Sequence, residues 1–263
     1  MNEILTIGAG LLVGALVGVT GVGGGSIMTP LLIFGFDIKP VIAIGTDLLF
    51  AGFTKLSGTL KTAKDRNIDW LIVGRLSIGS IPASFITLWM MNQLGLSSEP
   101  VESTIRCLLG LALLLTAAAT IYKNSRSSTL SKKDLISSYP IRVTHVNPTL
   151  TIILGATIGG LVTLTSVGAG AIGVSALLIL YPMLQMKRVI AADIAYAVPL
   201  TLLAGMGHAA MGSVDFKLLA LLLTGSIPGI WLGSQLVNQL PEQLIRTILS
   251  SCLALTGLKL ISI

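Results

Sequence analysis

The sequence predicts an all-α membrane protein that crosses the bilayer several times, and three observations indicate this. Of its 263 residues, 53% are hydrophobic and 11% are charged, whereas a soluble domain carries about 25% charged residues. The mean hydropathy is +0.90. Most apolar runs reach about 20 residues, the length of a helix that crosses a hydrocarbon core. Too few charges remain to cover a water-soluble globule, which excludes a soluble enzyme, a nucleic-acid-binding protein and a disordered chain.

Ten apolar runs follow one another along the chain, separated by short polar or charged segments. Two of them, 26–36 and 171–184, are too short to span a bilayer. At about 1.5 Å per residue in a helix, run 26–36 reaches only about 16 Å. The other runs are candidates for transmembrane helices. In order, the ten runs are 4–20, 26–36, 41–60, 68–91, 103–122, 149–165, 171–184, 189–211, 215–237 and 243–262.

Each short run follows a cluster of glycines that interrupts the apolar pattern. The first cluster is Gly23-Gly24-Gly25, and the second is Gly168-Ala169-Gly170. Because glycine costs about 1 kcal/mol relative to alanine inside a helix, such clusters break helices. Irregular backbone at membrane depth is tolerated only where it lines a cavity or is buried in protein. We therefore expect a broken or re-entrant helix pair at each cluster.

The charges of the loops predict the side of the membrane on which each loop lies. Loop 61–66 has three basic residues and segment 123–148 has five, whereas loop 92–102 has two glutamates and no basic residue. Cytoplasmic loops of membrane proteins carry the excess of lysine and arginine. We therefore place 61–66 and 123–148 in the cytoplasm and 92–102 outside. Segment 123–148 is also rich in serine, as expected of a linker.

The two halves of the chain resemble each other. Four motifs of the first half return in the second, displaced by 145 or 146 residues, which is difficult to obtain by chance. We predict a first transmembrane repeat over 1–122, a cytoplasmic connector over 123–148 and a second transmembrane repeat over 149–263. The recurring pairs are Thr20–Gly25 with Thr165–Gly170, Asp47 with Asp193, Ile68-Asp69-Trp70 with Val214-Asp215-Phe216, and Gly79-Ser80-Ile81-Pro82 with Gly225-Ser226-Ile227-Pro228.

Loop charges favour an inverted relation between the two repeats. Loop 185–188 carries two basic residues, and loop 212–217 carries Asp215 with Lys217. These charges place 185–188 in the cytoplasm and 212–217 outside, opposite to the equivalent loops of the first half. We expect two inverted repeats, each with a glycine-broken or re-entrant helix pair plus three transmembrane helices. Secondary transporters use this architecture and bind substrate near the bilayer midplane.

The glycine breaks are the first candidates for a binding site. A helix that begins after a break presents free N–H groups and about half a positive charge at its N-terminus. Two such termini that meet at the repeat interface would bind an anion without any formal charge. The alternative is that the glycines only allow close helix packing. The candidate substrate-binding residues here are Thr20, Gly23, Gly24, Gly25, Ser26, Thr29, Thr165, Ser166, Gly168 and Gly170.

Several ionisable residues lie within the apolar runs, where a charge is costly and indicates function by default. Asp47 and Asp193 are candidate proton carriers, although an acid near a helix start also stabilises the helix dipole. Lys55 is a candidate ligand for a substrate anion; alternatively, its side chain extends to the cytoplasmic interface. His208 is a further candidate for proton coupling, because histidine titrates at about pH 6.5, and its alternative is a structural role.

Cysteine and histidine form no metal-ligating or catalytic pattern in this sequence. Cys107 and Cys252 each lie inside an apolar run, and we expect both to pack in the core as small hydrophobic residues. The two histidines, His145 and His208, are too few for a metal cluster, and no Ser-His or HExxH arrangement is present. We therefore expect no enzyme activity, no metal and no cofactor.

With these residues in place, the chain resembles the TauE/SafE family of membrane permeases, the sulfite-exporter type. The resemblance covers nearly the whole chain. In the second glycine motif, Ala169 and Ala171 stand where the first half has glycine and serine, a departure from the fuller family form. The resemblance rests on Gly18–Leu32 and Ala43–Asp47 in the first half, and on Gly207-His208, Gly212–Phe216 and Gly225–Gly229 in the second.

The resemblance implies transport of small anions, often sulfur-containing, such as sulfite or organosulfonates. We therefore expect a secondary transporter in the bacterial plasma (inner) membrane that works by alternating access. Proton coupling through Asp47, Asp193 or His208 is a hypothesis. An anion or proton channel of the same fold is the alternative. The expected partners are the small anion, the lipid bilayer and a second copy of the chain in a homodimer, and we expect no nucleic acid.

Overall fold

A computed structural model describes residues 3–20, 25–62, 68–94, 99–127, 147–181, 184, 186–236 and 242–262. Within these residues the chain forms ten α-helices and no β-strand, which confirms the predicted all-α class. Each helix corresponds to one of the ten apolar runs. The helices are α1 (Glu3–Thr20), α2 (Gly25–Phe36), α3 (Pro40–Thr62), α4 (Trp70–Leu94), α5 (Glu99–Ser127), α6 (Pro148–Thr165), α7 (Ala171–Leu180), α8 (Met186–Ala210), α9 (Phe216–Leu236) and α10 (Glu242–Ser262).

The helices α2 and α7 are the shortest, with 12 and 10 residues. Helix α7 begins directly after a glycine of the second cluster, so this interruption occurs where the sequence predicts it. Gly25 is the first residue of α2, and Gly170 precedes the first residue of α7. The predicted site residues Gly23 and Gly24 lie outside the described residues, and of Thr20 only the backbone is described.

The outer surface of the helices is apolar. Six described stretches, in α3, α4, α5, α6, α8 and α9, are long and apolar enough to cross a membrane. The indole side chains of Trp70, Trp89 and Trp231 are 66%, 64% and 55% exposed. Extended apolar surfaces of soluble proteins are small, so this surface requires lipid around it. The chain is therefore a multi-pass membrane protein.

One helix does not fit the expectation that each repeat has a broken or re-entrant pair followed by three crossings. Helix α6 is long enough to cross, although the prediction counts it in the second broken pair. In α10, the stretch Ser250–Ile261 is apolar as well.

Helices α3 and α8 pack against each other at the centre of the bundle. In their apolar stretches, 78% of α3 and 67% of α8 is buried, whereas 39% or 44% is buried in each of the other four spans. The two helices run antiparallel, because Gly45 packs against His208 at one end and Gly52 packs against Leu202 toward the other. The most enclosed part of the molecule is therefore the interface between α3 and α8.

The remaining long helices also pack across the two halves of the chain. Helix α1 packs along α9, and α6 packs along α4. The first pair runs parallel, because Gly10 faces Leu222 and Gly14 faces Ser226. A Cβ atom on Gly14 would lie 2.5 Å from the carbonyl oxygen of Ser226. Only glycine allows the two backbones to approach this closely.

Helices α5 and α10 form the last of these pairs. Gly110 packs against Ile261, and Gly257 packs against Leu114, so the two helices run antiparallel. Their two cysteines, Cys107 and Cys252, are both exposed, and the prediction that they pack in the core is wrong. Lipid is as apolar as a protein core, so hydropathy does not distinguish a lipid-facing position from a buried one.

Candidate functional site

The start of α2 meets the second glycine break inside the bundle. Gly25 at the start of α2 is buried against the chain that follows α6. A Cβ atom on Gly25 would lie 2.0 Å from the carbonyl oxygen of Ser166. Glycine is therefore required here for the close approach of two backbones. Residues of the two clusters, which are more than 140 positions apart in the sequence, become direct neighbours.

The second break is a turn whose backbone favours glycine. After α6 ends at Thr165, Ser166 has a φ of 57°, and Gly168 and Gly170 have φ angles of 124° and 138°. Such angles are unfavourable for residues with a Cβ atom. The hydroxyl of Thr165 donates to the carbonyl of Leu161 at 2.7 Å and lies 3.2 Å from the amide nitrogen of Val167, from which it accepts. Thr165, Gly168 and Gly170 thus shape the break.

Asp47 of α3 is fully buried beside this junction. Its Oδ2 atom accepts hydrogen bonds from the hydroxyl of Thr29 on α2 and, at 2.9 Å, from the hydroxyl of Ser166. Its Oδ1 atom makes no hydrogen bond to the described residues. Asp47 is the eighth residue of α3, two turns beyond the helix start. The alternative role of stabilising the helix dipole therefore does not fit its position.

Lys55 also lies in the interior, where its side chain is 3% exposed. Its Nζ atom donates a hydrogen bond of 2.9 Å to the carbonyl oxygen of Ala169, within the second glycine cluster. It also interacts electrostatically with Asp47 and with Asp193. The alternative that Lys55 extends to the membrane interface is therefore wrong. Its ammonium group belongs to a buried charge cluster at the two breaks.

Asp193 of α8 completes this charge cluster from the second half. It is fully buried, and its Oδ1 atom lies where a side chain on Gly173 would begin, 2.1 Å from a Cβ atom built there. Gly173 is the third residue of α7, so α7 approaches Asp193 as α2 approaches Asp47. The sequence analysis did not single out Gly173, because a lone glycine in an apolar helix carries no specific signal.

His208 of α8 is fully buried. Its Nε2 atom is 3.0 Å from the carbonyl oxygen of Thr163. Fifteen residues of α8 separate His208 from Asp193, about 22 Å along a helix. The structure therefore does not bring His208 together with Asp193. Its contact with Thr163 fits the structural alternative.

Ser26, the remaining predicted site residue, is buried in the first turn of α2. Two further buried polar side chains, Ser80 of α4 and Tyr196 of α8, were missed by the sequence analysis. The Tyr196 hydroxyl lies beside Ser80, and Tyr196 interacts electrostatically with Asp193. The available signals were the recurring motif that contains Ser80 and the position of Tyr196 one turn after Asp193. Neither signal distinguishes a binding residue from a packing residue.

A cavity of about 520 Å³ opens where α2 ends and α3 begins. Three basic side chains, Lys39, Arg106 and Lys259, line it together with Asp37. The Nζ atom of Lys259 lies 4.7 Å from the centre of the Phe34 ring, a cation–π contact. In the part of the chain that the structure describes, no group of three His, Cys, Asp or Glu side chains is arranged to hold a metal ion.

The buried cluster combines features that suit a small anion with features that oppose it. The start of α2, the start of α7 and the Lys55 ammonium group supply positive charge. Asp47 and Asp193 supply two carboxylates. With all three side chains ionised, the cluster has a net charge of −1, which would repel an anion. Protonation of one carboxylate would remove that repulsion, so the cluster is able to link anion binding to proton binding.

The comparisons with known proteins match the whole length of this fold. The chain is 37% identical over 252 residues to the probable membrane transporter protein YjnA of Bacillus subtilis (strain 168), with 96% of this chain and 97% of the relative covered. It is 28% identical over 245 residues to the probable membrane transporter protein YunE of the same strain, with 90% and 87% covered. A more distant relative, at 26% identity over 271 residues, is the probable membrane transporter protein MJ0441 of Methanocaldococcus jannaschii (strain ATCC 43067 / DSM 2661 / JAL-1 / JCM 10045 / NBRC 100440), with 97% and 93% covered.

No solved structure matches the chain at a significant level. The family model for "Sulfite exporter TauE/SafE" matches residues 6–260. This range includes all ten helices apart from a few terminal residues, and both glycine breaks. The resemblance found in the glycine motifs is thereby confirmed. The protein belongs to the TauE/SafE family of membrane transporters.

Proposed function

We propose that the protein is a secondary transporter that moves a small sulfur oxyanion, sulfite or an organosulfonate, across the bacterial plasma membrane. The observation that carries this proposal is the meeting of the two glycine breaks at the buried Asp47–Lys55–Asp193 cluster. Broken helices that converge on buried charges near the middle of the bundle are typical of transporter binding sites. The description of the matching family model, "Sulfite exporter TauE/SafE", supports the sulfur-containing substrate.

The anion binds between the starts of α2 and α7, beside Lys55. Support comes from the packing of Gly25 against Ser166 and from the hydrogen bond of Lys55 to the Ala169 carbonyl, which bring both breaks to one place. Free N–H groups at helix starts bind anions without a formal charge. Gly25, Ser26, Thr29, Ser166 and Lys55 surround this position. The cavity between α2 and α3, with its three basic residues, is a second region that attracts anions.

The two halves of the chain are inverted repeats that exchange access between the two sides of the membrane. Support comes from helix direction: the corresponding helices α3 and α8 run antiparallel, as do α5 and α10. The pairing of α1 with α9 also has its counterpart in the pairing of α6 with α4. With inverted repeats, the connector 123–148 and the two termini are on opposite sides of the membrane. The loop charges assign the connector to the cytoplasm.

Proton movement accompanies anion movement. Two carboxylates share one lysine in the cluster, so an arriving anion is favoured when Asp47 or Asp193 takes up a proton. The two hydroxyl donors on Asp47 stabilise its ionised form. Asp47 and Asp193 are therefore both candidates for the residue that gains and loses the proton.

Counterflow in liposomes tests the proposed function. Purified protein is reconstituted in liposomes loaded with unlabelled sulfite, methanesulfonate or sulfate, and uptake of the labelled anion is followed. A carrier gives transient, saturable accumulation that depends on the internal anion. Downhill flux without saturation would instead indicate a channel of the same fold, and no flux with any of the anions would contradict the proposed substrate class.

A further inference from the structure

Two buried hydroxyl groups near the charge cluster have no hydrogen-bond partner among the described residues. They belong to Ser80 on α4 and Tyr196 on α8, and both side chains are fully buried. The Tyr196 hydroxyl lies beside Ser80 and interacts electrostatically with Asp193, three positions earlier on the same helix face. Buried hydroxyls nearly always find a partner, so a neighbouring pair without one requires an explanation.

The corresponding positions of the other half do not share this feature. In the 146-residue register, Ser226 corresponds to Ser80, and its hydroxyl is 2.7 Å from the hydroxyl of Thr54. The position that corresponds to Thr54 is Leu200, and the one that corresponds to Tyr196 is Phe50. One side of the bundle therefore has a hydroxyl pair within hydrogen-bond distance, whereas the two neighbouring hydroxyls of the other side meet no hydrogen-bond geometry with each other or with any described residue.

The hydroxyls of the glycine breaks are already engaged. Thr29 and Ser166 each have one hydroxyl proton, and each donates it to Asp47. Neither is able to donate to a substrate while it holds this hydrogen bond. Further donors are needed to satisfy the oxygen atoms of a bound oxyanion, because an unsatisfied buried charge is costly. Ser80 and Tyr196 have hydroxyl protons that are not engaged by described residues.

We propose that the hydroxyls of Ser80 and Tyr196 donate hydrogen bonds to the transported oxyanion, so that the binding site extends from the glycine breaks toward α4. This inference rests on the proposed function and names two residues that determine substrate affinity. The anion occupies the side of Asp193 that faces Tyr196. Protonation of Asp193 then removes the negative charge that would repel the anion, and the two hydroxyls donate hydrogen bonds to the oxygen atoms of the anion.

Removal of each hydroxyl tests the inference. Tyr196→Phe and Ser80→Ala delete the two donors with little change in shape, and Ser226→Ala is the matched control from the other half. Dissociation constants for sulfite, methanesulfonate and sulfate are measured by calorimetry on the purified protein, together with the Tm without anion. We expect Tyr196→Phe and Ser80→Ala each to weaken binding by about tenfold, with a Tm equal to or above that of the wild type.

The control variant Ser226→Ala is expected to change the Tm instead of the dissociation constant. Ser226→Ala leaves Thr54 without its hydrogen bond, so it lowers the Tm and leaves the dissociation constant unchanged. If the wild type binds an anion and both Tyr196→Phe and Ser80→Ala bind it equally well, the hydroxyls serve a buried water molecule and this inference is wrong. If the wild type binds none of the three anions, the proposed function itself is wrong. If one variant does not fold, the other decides.

Discussion

Asp47 receives hydrogen bonds from both halves of the chain, from Thr29 on one side and from Ser166 on the other. Lys55 likewise joins a helix of the first half to the carbonyl of Ala169 in the second. The hydrogen bonds of Asp47 with Ser166 and of Lys55 with Ala169 therefore join the two halves, whereas the bond with Thr29 lies within the first half.

Replacement of Lys55 is expected to abolish anion transport. Lys55→Met removes the only ammonium group of the buried cluster and leaves the carboxylates without a counter-charge, which costs about 3–5 kcal/mol. Counterflow in liposomes is the measurement. Lys217→Met is the matched control, because Lys217 is 77% exposed and pairs with Glu3 at the surface.

The Lys55 variant also needs a control for folding. The double variant Asp47→Asn/Lys55→Met removes one charge of each sign and is expected to fold without restoring transport. Saturable counterflow in either variant, at the rate of the wild type, would contradict the role assigned to Lys55.

Replacement of Asp193 is expected to separate anion flux from the proton gradient. If the proposed proton coupling holds, a proton gradient in the direction of anion movement is expected to accelerate uptake by the wild type, because protonation of the cluster favours the loaded state. Asp193→Asn is permanently neutral, so its uptake rate is expected to be the same with and without the gradient. Parallel uptake assays at two external pH values measure this. A variant that still responds to the gradient would assign the proton to another residue.

The sequence predicts individual site residues better than the contacts between them. Asp47, Lys55 and Asp193 stand out because charges are rare within apolar runs. The bond between Asp47 and Ser166, 119 positions apart, is not predictable in this way, because it depends on how the two breaks pack. Tyr196 carries no signal at all, since an aromatic residue in an apolar helix usually packs in a core.

At the scale of elements, the break between α6 and α7 is the part of the structure with the most unusual backbone. Gly168 and Gly170 hold φ angles that residues with a side chain rarely adopt, and Ser166 adopts the left-handed region without being a glycine. Backbone of this kind persists only where its surroundings determine it. The break is therefore a specifically shaped element and more than an interruption of a helix.

Replacement of Gly168 by alanine tests the backbone separately from packing. A Cβ atom on Gly168 would meet only ordinary contacts, at 3.4 Å or more, but the φ of 124° is unfavourable for alanine. We expect Gly168→Ala to destabilise the protein by about 1–3 kcal/mol and to reduce transport. Thermal unfolding in detergent and counterflow measure the two effects.

Gly160→Ala is the control for this comparison. Gly160 lies within α6, and its Cβ atom would meet only the Thr87 hydroxyl at 3.5 Å. Alanine is favoured over glycine inside a helix, so this change is expected to be neutral or stabilising by up to about 1 kcal/mol. If both variants had the same stability and transport, the φ angle of Gly168 would not matter for the break.

The ten helices and their two short members are predictable because the signals are local: apolar length and clustered glycine. Which helices pack against each other is not predictable from such local signals. Gly14 and Ser226 meet through a spacing of small residues that also occurs on surfaces facing lipid. The interaction of α1 with α9 therefore becomes visible only in the folded molecule.

At the scale of the whole molecule, the antiparallel packing of corresponding helices leads to a prediction about topology. With inverted repeats and a cytoplasmic connector, both termini lie outside the cytoplasm. Reporter fusions that are active on only one side of the membrane, placed at each terminus, measure this. A fusion at residue 130, within the connector, is expected to report the cytoplasm. Two termini on the cytoplasmic side would contradict the inverted arrangement.

The pairing of α1 with α9 also sets the order in which the molecule can assemble. The ribosome makes Gly10, Gly14 and Gly18 within the first twenty residues, yet the backbone that they contact begins at Leu222. Contacts between such distant parts of a chain form late and slow folding. Helix α1 is therefore without its partner helix until more than four-fifths of the protein has been synthesised. A chain that stops before α9 therefore leaves this glycine face of α1 without its partner helix.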